Sequence, residues 1–402
     1  MGYRCKRSAR ASLLVALVAV LVAVVAGTAG ARPAAKKAQT FNVLAVLPLS
    51  GPLALIGKYE KEGLLSAANV VNAKGGILDQ KVKVTAVDDQ GDGSKAVSSL
   101  QAALASGTTY NLLYLGGFDQ EAAPMFAAEA KNTTLQISGA STPIDVKKLP
   151  AAFDTGTGFG PNAESIAIRM KKDGITKFAI VCGDDGSGRD GATNLQAAAK
   201  RHGLKVTATI FVPDTSADAT AQVQQAIGTN PQAFAVAGYT PADPQILKAR
   251  TKLGSTLPLY GDAFFSDFNF SQVTTAADLQ GVVVQDYPFL VKGDPVTKTK
   301  AWRNFFGTFT KYEKHPVVTL GATLVAYESV LLARAAAIEA KSTDGAALAQ
   351  AMPKIQHASQ VPDWVGPKAI FSPTNHILRA AAGDLKFYKA GSQVDGLLAP
   401  GK

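Results

Sequence analysis

Residues 41–138 contain the four apolar runs that decide the fold, namely FNVLAVLPL (41–49), KVTAV (83–87), NLLYL (111–115) and TLQIS (134–138). A second set follows in the same order, with KFAIVC (177–182), KVTATIFV (205–212), AFAVAG (233–238) and LPLYG (257–261). The last three runs start at 83, 111 and 134 in the first set and at 205, 233 and 257 in the second, an offset of about 122 residues. A helix-length segment follows most runs, and this alternation predicts parallel β-sheets with right-handed crossovers.

The repeat predicts an α/β protein of two Rossmann-like lobes, each a parallel sheet flanked by helices, with a cleft where the strand carboxyl ends face each other. The first crossing between lobes is expected in the Gly-rich stretch 153–161, and GVVVQ (281–285) is expected to be the return crossing. A third crossing in the tail (369–390) would complete a multi-segment hinge that permits closure around a ligand. The predicted boundaries are 41–157 and 283–372 for the first lobe, and 158–282 and 373–402 for the second.

The N-terminus has the pattern of a secretory signal peptide, 1–31. Basic residues precede an unbroken run of Leu, Val and Ala from Leu13 to Ala26, and Ala29-Gly30-Ala31 fits an A-x-A cleavage site. An uncleaved membrane anchor is the alternative, although the run is short for a bilayer span of ~20 residues. After a flexible lead-in (32–40), the mature chain is expected in the periplasm or at the cell exterior. It is expected to have no lipid anchor, because no Cys directly follows the apolar run.

Charge and cysteine content exclude several classes of function. The formal net charge is +10, but the Lys and Arg residues outside the predicted signal are scattered, and nucleic-acid binding needs a basic patch interleaved with aromatic residues. Once Cys5 leaves with the signal, Cys182 is the one remaining thiol, so no intramolecular disulfide is expected. Because Cys182 ends an apolar run, we interpret it as buried and inert.

Two motifs suggest ligands that their details do not support. GSGRDG (186–191) spells the G-x-G-x-x-G dinucleotide fingerprint, but Asp184 and Asp185 would place negative charge beside a pyrophosphate. We interpret this motif as a tight turn at the cleft rim, and an exported nucleotide-binding enzyme remains the less favoured alternative. Residues 88–93 (DDQGDG) partly resemble a calcium loop, but the twelfth position is Ser99 where a Glu is needed. We assign this motif to a turn and a helix N-cap.

The sequence has no catalytic or metal-ligand pattern, and its four His residues are widely spaced. We therefore predict no enzymatic activity, metal or cofactor, and expect function to lie in polar and aromatic residues at the strand carboxyl ends. Backbone N–H groups at helix starts, with Ser and Thr hydroxyls, can bind a carboxylate or carbonyl group. The candidate ligand-binding residues chosen on this basis are Ser50, Phe118, Asp119, Gln120, Ala140, Ser141, Thr142, Ser187, Tyr239, Asp262 and Tyr287.

Five segments carry a resemblance to a known family, namely SGPLALIG (50–57), NAKGGI (72–77), DDQGD (88–92), ISGASTP (137–143) and AGYTPAD (237–243). Over roughly residues 40–390 the chain resembles the branched-chain amino-acid (Leu/Ile/Val-type) periplasmic binding proteins of ABC importers. The resemblance implies a two-lobed Venus-flytrap of the type I periplasmic binding protein fold, without catalysis. It also implies a monomer that delivers a small-molecule ligand to the membrane subunits of an ABC permease.

The resemblance further implies roles for residues in the first lobe. Ala140, Ser141 and Thr142 match the segment with which the family binds a ligand α-carboxylate. Asp119 stands where the family has a second carboxylate-binding residue, a Ser. Leu55 and Ile56 stand where the family has an aromatic wall.

In the second lobe, Tyr239 matches the family's ligand-binding Tyr, and Asp262 lies near the position of its ammonium-binding Glu. An acid at Asp119 disfavours an anion at the carboxylate pole. The expected ligand is therefore a small polar organic solute, with an amino acid first and an amide, a polyamine-like or an aromatic compound behind it. A ligand-binding sensor with the same fold is the alternative function.

Overall fold

The computed structural model describes residues 1–2, 39–51, 53–213, 215–238, 240, 242–265, 273–316 and 320–401. The predicted signal peptide and nearly all of the lead-in lie outside the described residues. All elements described below belong to one compact unit, Thr40–Lys402.

The first apolar ladder forms a five-stranded sheet in which every strand pair is parallel, in the order β2-β1-β3-β4-β5. Its strands are β1 (Thr40–Leu47), β2 (Lys81–Asp88), β3 (Leu112–Leu115), β4 (Leu135–Ser138) and β5 (Ala152–Asp154). The helices between them are α1 (Ala54–Ala73), α2 (Gly93–Leu104) and α3 (Asp119–Ala128). Side chains of β1 alternate between two cores: Val43 lies in the core that contains α1, and Leu44 in the core that contains α2 and α3. Burial on both faces explains why the central strands β1 and β3 are almost wholly apolar, whereas the edge strand β2 keeps the exposed Lys81 and Lys83.

The second ladder forms a six-stranded sheet in the order β7-β6-β8-β9-β10-β11. Its strands are β6 (Lys177–Gly183), β7 (Lys205–Val212), β8 (Phe234–Val236), β9 (Leu259–Gly261), β10 (Val282–Asp286) and β11 (Lys386–Lys389). Its helices are α4 (Phe159–Lys172), α5 (Gly186–His202), α6 (Thr220–Gly228) and α7 (Asp243–Lys252). Apart from β11, which runs antiparallel to β10, the strand order repeats that of the first sheet. The predicted α/β class with two matching parallel ladders is confirmed.

The C-terminal third adds helices to the first core. They are α8 (Lys300–Phe309), α9 (Gly321–Ala340) and α10 (Gly345–Ala351), followed by the hairpin β12 (Ser392–Val394) and β13 (Leu397–Ala399). Single 3₁₀ turns lie at Pro288–Leu290, Pro295–Lys298, Met352–Lys354, Ala358–Gln360 and Ala382–Asp384. Within the described chain, α9 has the length and hydropathy of a membrane span, but 72% of its apolar window is buried inside the protein.

Helices α1 and α9 approach each other closely at Gly63. A Cβ atom built on Gly63 would lie 2.2 Å from the carbonyl oxygen of Thr323. This contact leaves no room for a side chain, so the two backbones can meet only because residue 63 is glycine. Both helices pack on one face of the first sheet, in the first core.

Three connections join the two sheets. The first leaves β5 at Thr155 and enters α4, inside the predicted 153–161. GVVVQ does not itself form the return crossing, because β10 pairs in parallel with β9 and buries Val282 and Val284 in the second core. The chain returns after Asp286, slightly later than the predicted boundary at 283. A third connection leads from Leu378, in the first core, to β11. From these connections we infer two lobes with a three-segment hinge.

The thiol of Cys182 is buried in the second lobe, as predicted. Its sulfur accepts a hydrogen bond from the backbone amide of Ala237 at 3.4 Å. Burial raises the pKa of this thiol, and the nucleophile in cysteine chemistry is the thiolate. Cys182 is therefore a packing residue.

Candidate ligand-binding site

A cavity of about 250 Å³ lies between the two sheets at the carboxyl ends of their strands. Its walls are the loops after β3 and β4, the loops after β6 and β9, two of the interlobe connections and one face of α9. In both sheets the strand order reverses between the first and third strands of the ladder. Ligands of open parallel sheets bind outside the carboxyl ends of the strands at this point, so we take the cavity as the candidate site.

Two buried glutamates hold the loop after β3. Glu60 on α1 accepts hydrogen bonds from the hydroxyl of Tyr114 and the backbone amide of Gly117, both at 2.9 Å. Glu121 accepts a hydrogen bond from the amide of Phe118 at 2.7 Å and so caps the start of α3. Burial raises the pKa of Glu60 to about 8. These contacts fix the loop that carries Phe118 and Asp119 into the cavity wall.

The loop after β4 is held by Asp154. Its Oδ1 accepts hydrogen bonds from the amides of Ser141 (3.1 Å) and Gly156 (2.6 Å), and its Oδ2 accepts one from the amide of Thr142 (2.9 Å). The backbone of Ser141 is left-handed, with φ 58°. The amides of Ser141 and Thr142 belong to the segment that the resemblance assigned to a ligand carboxylate, and here they are already bound to a carboxyl group of the protein. The buried hydroxyl of Ser141, which lines the cavity, has no partner among the described residues.

The second lobe contributes the start of α5. Asp185 caps this helix by accepting hydrogen bonds from the amide of Gly188 (2.6 Å) and the hydroxyl of Ser187 (3.2 Å). A Cβ atom on Gly188 would lie 2.2 Å from the carbonyl oxygen of Gly183. The Gly-rich motif therefore serves close packing, and a carboxylate occupies the helix start at which a phosphate would bind.

The loop after β9 is held by Asp262. This fully buried carboxyl accepts hydrogen bonds from the amides of Gly238 (3.0 Å) and Phe265 (2.8 Å). Burial raises its pKa to about 7. Asp262 itself does not line the cavity, but the loop brings Phe264 there, against the ring of Phe159 with centroids 4.9 Å apart.

The return connection and α9 complete the walls. Tyr287 and Phe289 stack with centroids 5.2 Å apart, and both face the cavity. Gly321, Val325 and Glu328 lie on the face of α9 that lines it. Glu328 is 2% exposed, and its Oε1 has no hydrogen-bond partner among the described residues. Burial raises the pKa of Glu328 to about 8, although hydrogen bonds from the backbone amides of Val365 and Gly366 act to lower that pKa.

The structure brings eight of the thirteen candidate residues to one cavity. These are Ile56, Phe118, Asp119, Gln120, Ala140, Ser141, Ser187 and Tyr287. Their roles toward a ligand stay predictions. Tyr239 lies outside the described residues.

Four candidates lie elsewhere, for separate physical reasons. The hydroxyl of Ser50 donates to Asp88 at 2.6 Å and so ties the turn after β1 to the end of β2. Leu55 is on the outer side of α1 and 39% exposed. Thr142 and Asp262 are buried outside the cavity lining; the amide of Thr142 donates to Asp154, and Asp262 holds the loop after β9.

Sequence reasoning missed several lining residues, among them Glu60, Phe159, Asp286, Phe289 and Glu328. Glu328 carried a usable signal, because a carboxyl group in the middle of an apolar helix must find a partner or a cavity when that helix is buried. Glu60 carried a weaker form of the same signal. The others follow strands or connections whose direction only the fold determines.

Two matching parallel-sheet lobes with a cavity between their strand ends define a two-lobed ligand clamp. The chain belongs to the family described as periplasmic binding protein, whose model matches residues 40–388. The family predicted from the sequence is thereby confirmed.

Curated relatives share the family at low identity. Leu/Ile/Val-binding protein homolog 3 of Brucella melitensis is 29% identical over 170 residues, 41% of this chain and 45% of that protein. Leu/Ile/Val-binding protein BraC3 of Rhizobium johnstonii is 25% identical over 249 residues, 61% of this chain and 66% of that protein. The matches thus span about half to two thirds of the relatives' lengths.

Solved structures share the fold. A branched-chain amino acid transporter substrate binding protein of Streptococcus pneumoniae, in complex with isoleucine, has a TM-score of 0.69 at 19% identity, over 89% of this chain and 99% of that chain. A solute binding protein of an ABC transporter from R. palustris, in complex with 4-hydroxybenzoate, has a TM-score of 0.72 at 18% identity, over 90% and 96%. One fold therefore binds chemically different ligands, and the ligand must be argued from this chain's own cavity.

Proposed function

We propose that this protein is the extracytoplasmic solute-binding component of an ABC importer. It binds one small polar organic molecule between its lobes and delivers it to the membrane subunits of a permease. The N-terminal export pattern and the names of the curated relatives support this function. The observation that carries it is the position of the cavity at the switch points of both sheets.

The cavity fits this role in size and composition. About 250 Å³ suits a single small molecule, and apolar walls with a few placed polar groups are typical of small-ligand sites. Because both lobes supply wall residues, a bound ligand would favour the closed arrangement, and the surface presented to the permease would change with occupancy.

A thermal-shift screen of mature protein (residues 32–402) tests the proposal. The panel contains the twenty amino acids, small amides, amines and aromatic acids. A ligand that binds only the folded state at 100 times its Kd stabilises it by about 2.7 kcal/mol, so at least one compound should raise the Tm by several degrees. A flat profile across the whole panel contradicts the proposal.

A cavity-filling variant supplies the matched control. Ala322→Trp places an indole on the face of α9 that lines the cavity, and should abolish the shift. Ala340→Trp makes the same change at the far end of α9, outside the cavity lining, and should keep it. In cells, deletion of the gene should abolish uptake of the identified compound, and Ala322→Trp should fail to restore it.

A further inference from the structure

The acidic groups on the cavity wall are not balanced by basic ones. Five carboxyl groups line it, those of Glu60, Asp119, Asp185, Asp286 and Glu328. No Lys, Arg or His occurs among the described residues that line it, although the chain contains 41 Lys and Arg against 31 Asp and Glu. A cavity without a cation in a basic protein disfavours an anionic ligand and favours a cationic one.

Several groups that could receive an anion are already in use. Asp154 holds the amides of Ser141 and Thr142. Two helix starts at the cavity are capped by protein carboxyl groups, α3 by Glu121 and α5 by Asp185. Helices α4 and α9 also begin at the cavity, and neither has a side-chain cap. A ligand carboxylate at any of the capped amides would have to displace a protein carboxyl group, and it would lie on a wall whose described residues include no Lys, Arg or His.

Glu328 has a different property, since one of its carboxyl oxygens lacks a partner, while the backbone amides of Val365 and Gly366 hold the carboxyl group. It is 2% exposed, it lines the cavity, and its Oε1 makes no hydrogen bond within the described chain. Among the described residues, no group of three or more His, Cys, Asp or Glu is placed to hold a metal ion. The cavity carboxyl groups are therefore not gathered at one point. An ammonium group, which brings its own hydrogen-bond donors, satisfies one buried carboxyl without a metal-type cluster.

The rest of the wall suits the body of an organic cation. Five aromatic residues line the same cavity, namely Phe118, Phe159, Phe264, Tyr287 and Phe289. Aromatic faces attract positive charge and pack well against alkyl or aryl groups. Carboxyl groups and aromatic rings on one wall therefore match both parts of an amine.

We propose that the ligand is an organic amine that carries a positive charge and no carboxylate, with its ammonium group bound at Glu328 and its apolar part against the aromatic rings. This inference rests on the proposed solute-binding function and names the class of solute. It separates this chain from the solved structures that hold isoleucine or 4-hydroxybenzoate.

Matched pairs of compounds test the proposal, because the first two pairs differ only in the α-carboxylate and the third replaces a carboxylate by an aminomethyl group. They are leucine with 3-methylbutylamine, tyrosine with tyramine, and 4-hydroxybenzoate with 4-hydroxybenzylamine, measured by isothermal titration calorimetry on the mature protein. We expect at least one amine to bind at least tenfold more tightly than its acid partner. If the acid of each pair binds as well or better, the amine proposal is overturned and the solute-binding function stands. If no compound of either kind binds, and the screen above is also flat, both are overturned.

Two substitutions in α9 test the assignment of the ammonium to Glu328. Glu328→Gln keeps the shape of the side chain but cannot form a carboxylate opposite an ammonium group, and should weaken amine binding at least tenfold. Glu339→Gln makes the same change at the end of the helix, where Glu339 pairs with Lys354 outside the cavity, and should leave the affinity unchanged. A Glu328→Gln protein that melts cooperatively and binds the amine like wild type overturns the assignment. If Glu328→Gln does not fold, Val325→Asp is the second test. It places another acid on the same face and should raise the amine affinity, and an unchanged affinity overturns the assignment.

Discussion

The carboxyl group of Asp154 binds the backbone amide of Thr142 at 2.9 Å, joining the end of β5 to the loop after β4. The same carboxyl holds the amide of Gly156 at 2.6 Å, and Gly156 lies in the first connection between the lobes. One buried side chain therefore fixes part of the cavity wall and the start of the first connection between the sheets together. A change at Asp154 should affect stability and ligand binding at once.

Asp154→Asn tests this coupling. The amide group of Asn would face one of the three backbone donors, so a buried N–H would lose its acceptor, which costs about 1–3 kcal/mol. We expect a free energy of unfolding lower by this amount in urea denaturation, with weaker ligand binding. Asp145→Asn is the control, because Asp145 is exposed and outside the cavity, and should change stability by less than about 0.5 kcal/mol. Equal effects of the two substitutions would contradict the role given to Asp154.

Glu60 should make stability depend on pH. Its pKa is about 8 in the folded protein because of burial, against an ordinary value of 4.5. Between these values the folded state holds a proton that the unfolded state lacks, so the free energy of unfolding falls as pH rises, with a slope on the order of 1 kcal/mol per pH unit. Glu60→Gln removes this contribution because Gln does not ionise, and its side-chain oxygen can still accept a hydrogen bond from the amide of Gly117.

Urea denaturation at pH 5, 6, 7 and 8 measures that slope. The Glu60→Gln protein should lose less stability across the series than wild type does. Glu339→Gln, at the exposed end of α9, should keep the wild-type slope. A Glu60→Gln slope identical to wild type would show that this carboxyl is ionised in the folded protein throughout.

Gly63 should not tolerate alanine, despite its position inside a helix. A Cβ there meets the Thr323 carbonyl oxygen at 2.2 Å, and forcing the helices apart should cost about 1–3 kcal/mol. At Gly307 in α8, a Cβ meets nothing within 4 Å, so Gly307→Ala should instead stabilise by up to about 1 kcal/mol through helix propensity. Thermal unfolding of both variants should give Tm changes of opposite sign, and changes of the same sign would refute the close crossing of α1 and α9.

Asp119→Ser restores the residue type that the family resemblance associates with carboxylate binding. Asp119 lines the cavity and is exposed. Removing its charge should therefore change the binding free energy of a charged ligand by up to about 1 kcal/mol. We expect the affinity of leucine relative to 3-methylbutylamine to rise about fivefold, measured by calorimetry. Asp79→Ser, at an exposed residue outside the cavity lining, is the control. An unchanged ratio in Asp119→Ser would mean that Asp119 does not select the ligand.

The strands were predictable because each is short, apolar and bounded by polar turns. The run at 205–212 coincides with β7, and the run at 177–182 is one residue shorter than β6. GVVVQ was correctly predicted as a strand, but its sheet was not, because pairing with β9 depends on contacts far away in sequence. Similarly, the turn role of Asp92 followed from its place before a helix, and Asp92 accepts from the amide of Lys95 at 2.9 Å.

The candidate site was only partly predictable. Residues directly after strands, such as Phe118 and Ser187, could be placed because parallel strands end at one edge of a sheet. Ser50 satisfied the same rule, but its hydroxyl is taken up by Asp88 from a neighbouring strand. Glu328 satisfied no such rule, since it reaches the cavity from the middle of a helix near the end of the chain.

The sequence by itself determined the repeated α/β ladders, the export pattern and the family, because periodic apolar runs and turn residues are local properties of the chain. Tertiary structure decided the chemistry of the cavity. Hydrogen-bond partners such as Asp154 for Ser141, and the burial of Glu328 without a partner for its Oε1, arise only when segments distant in sequence pack together. Burial then sets which carboxyl groups keep their protons and which groups stay available to a ligand.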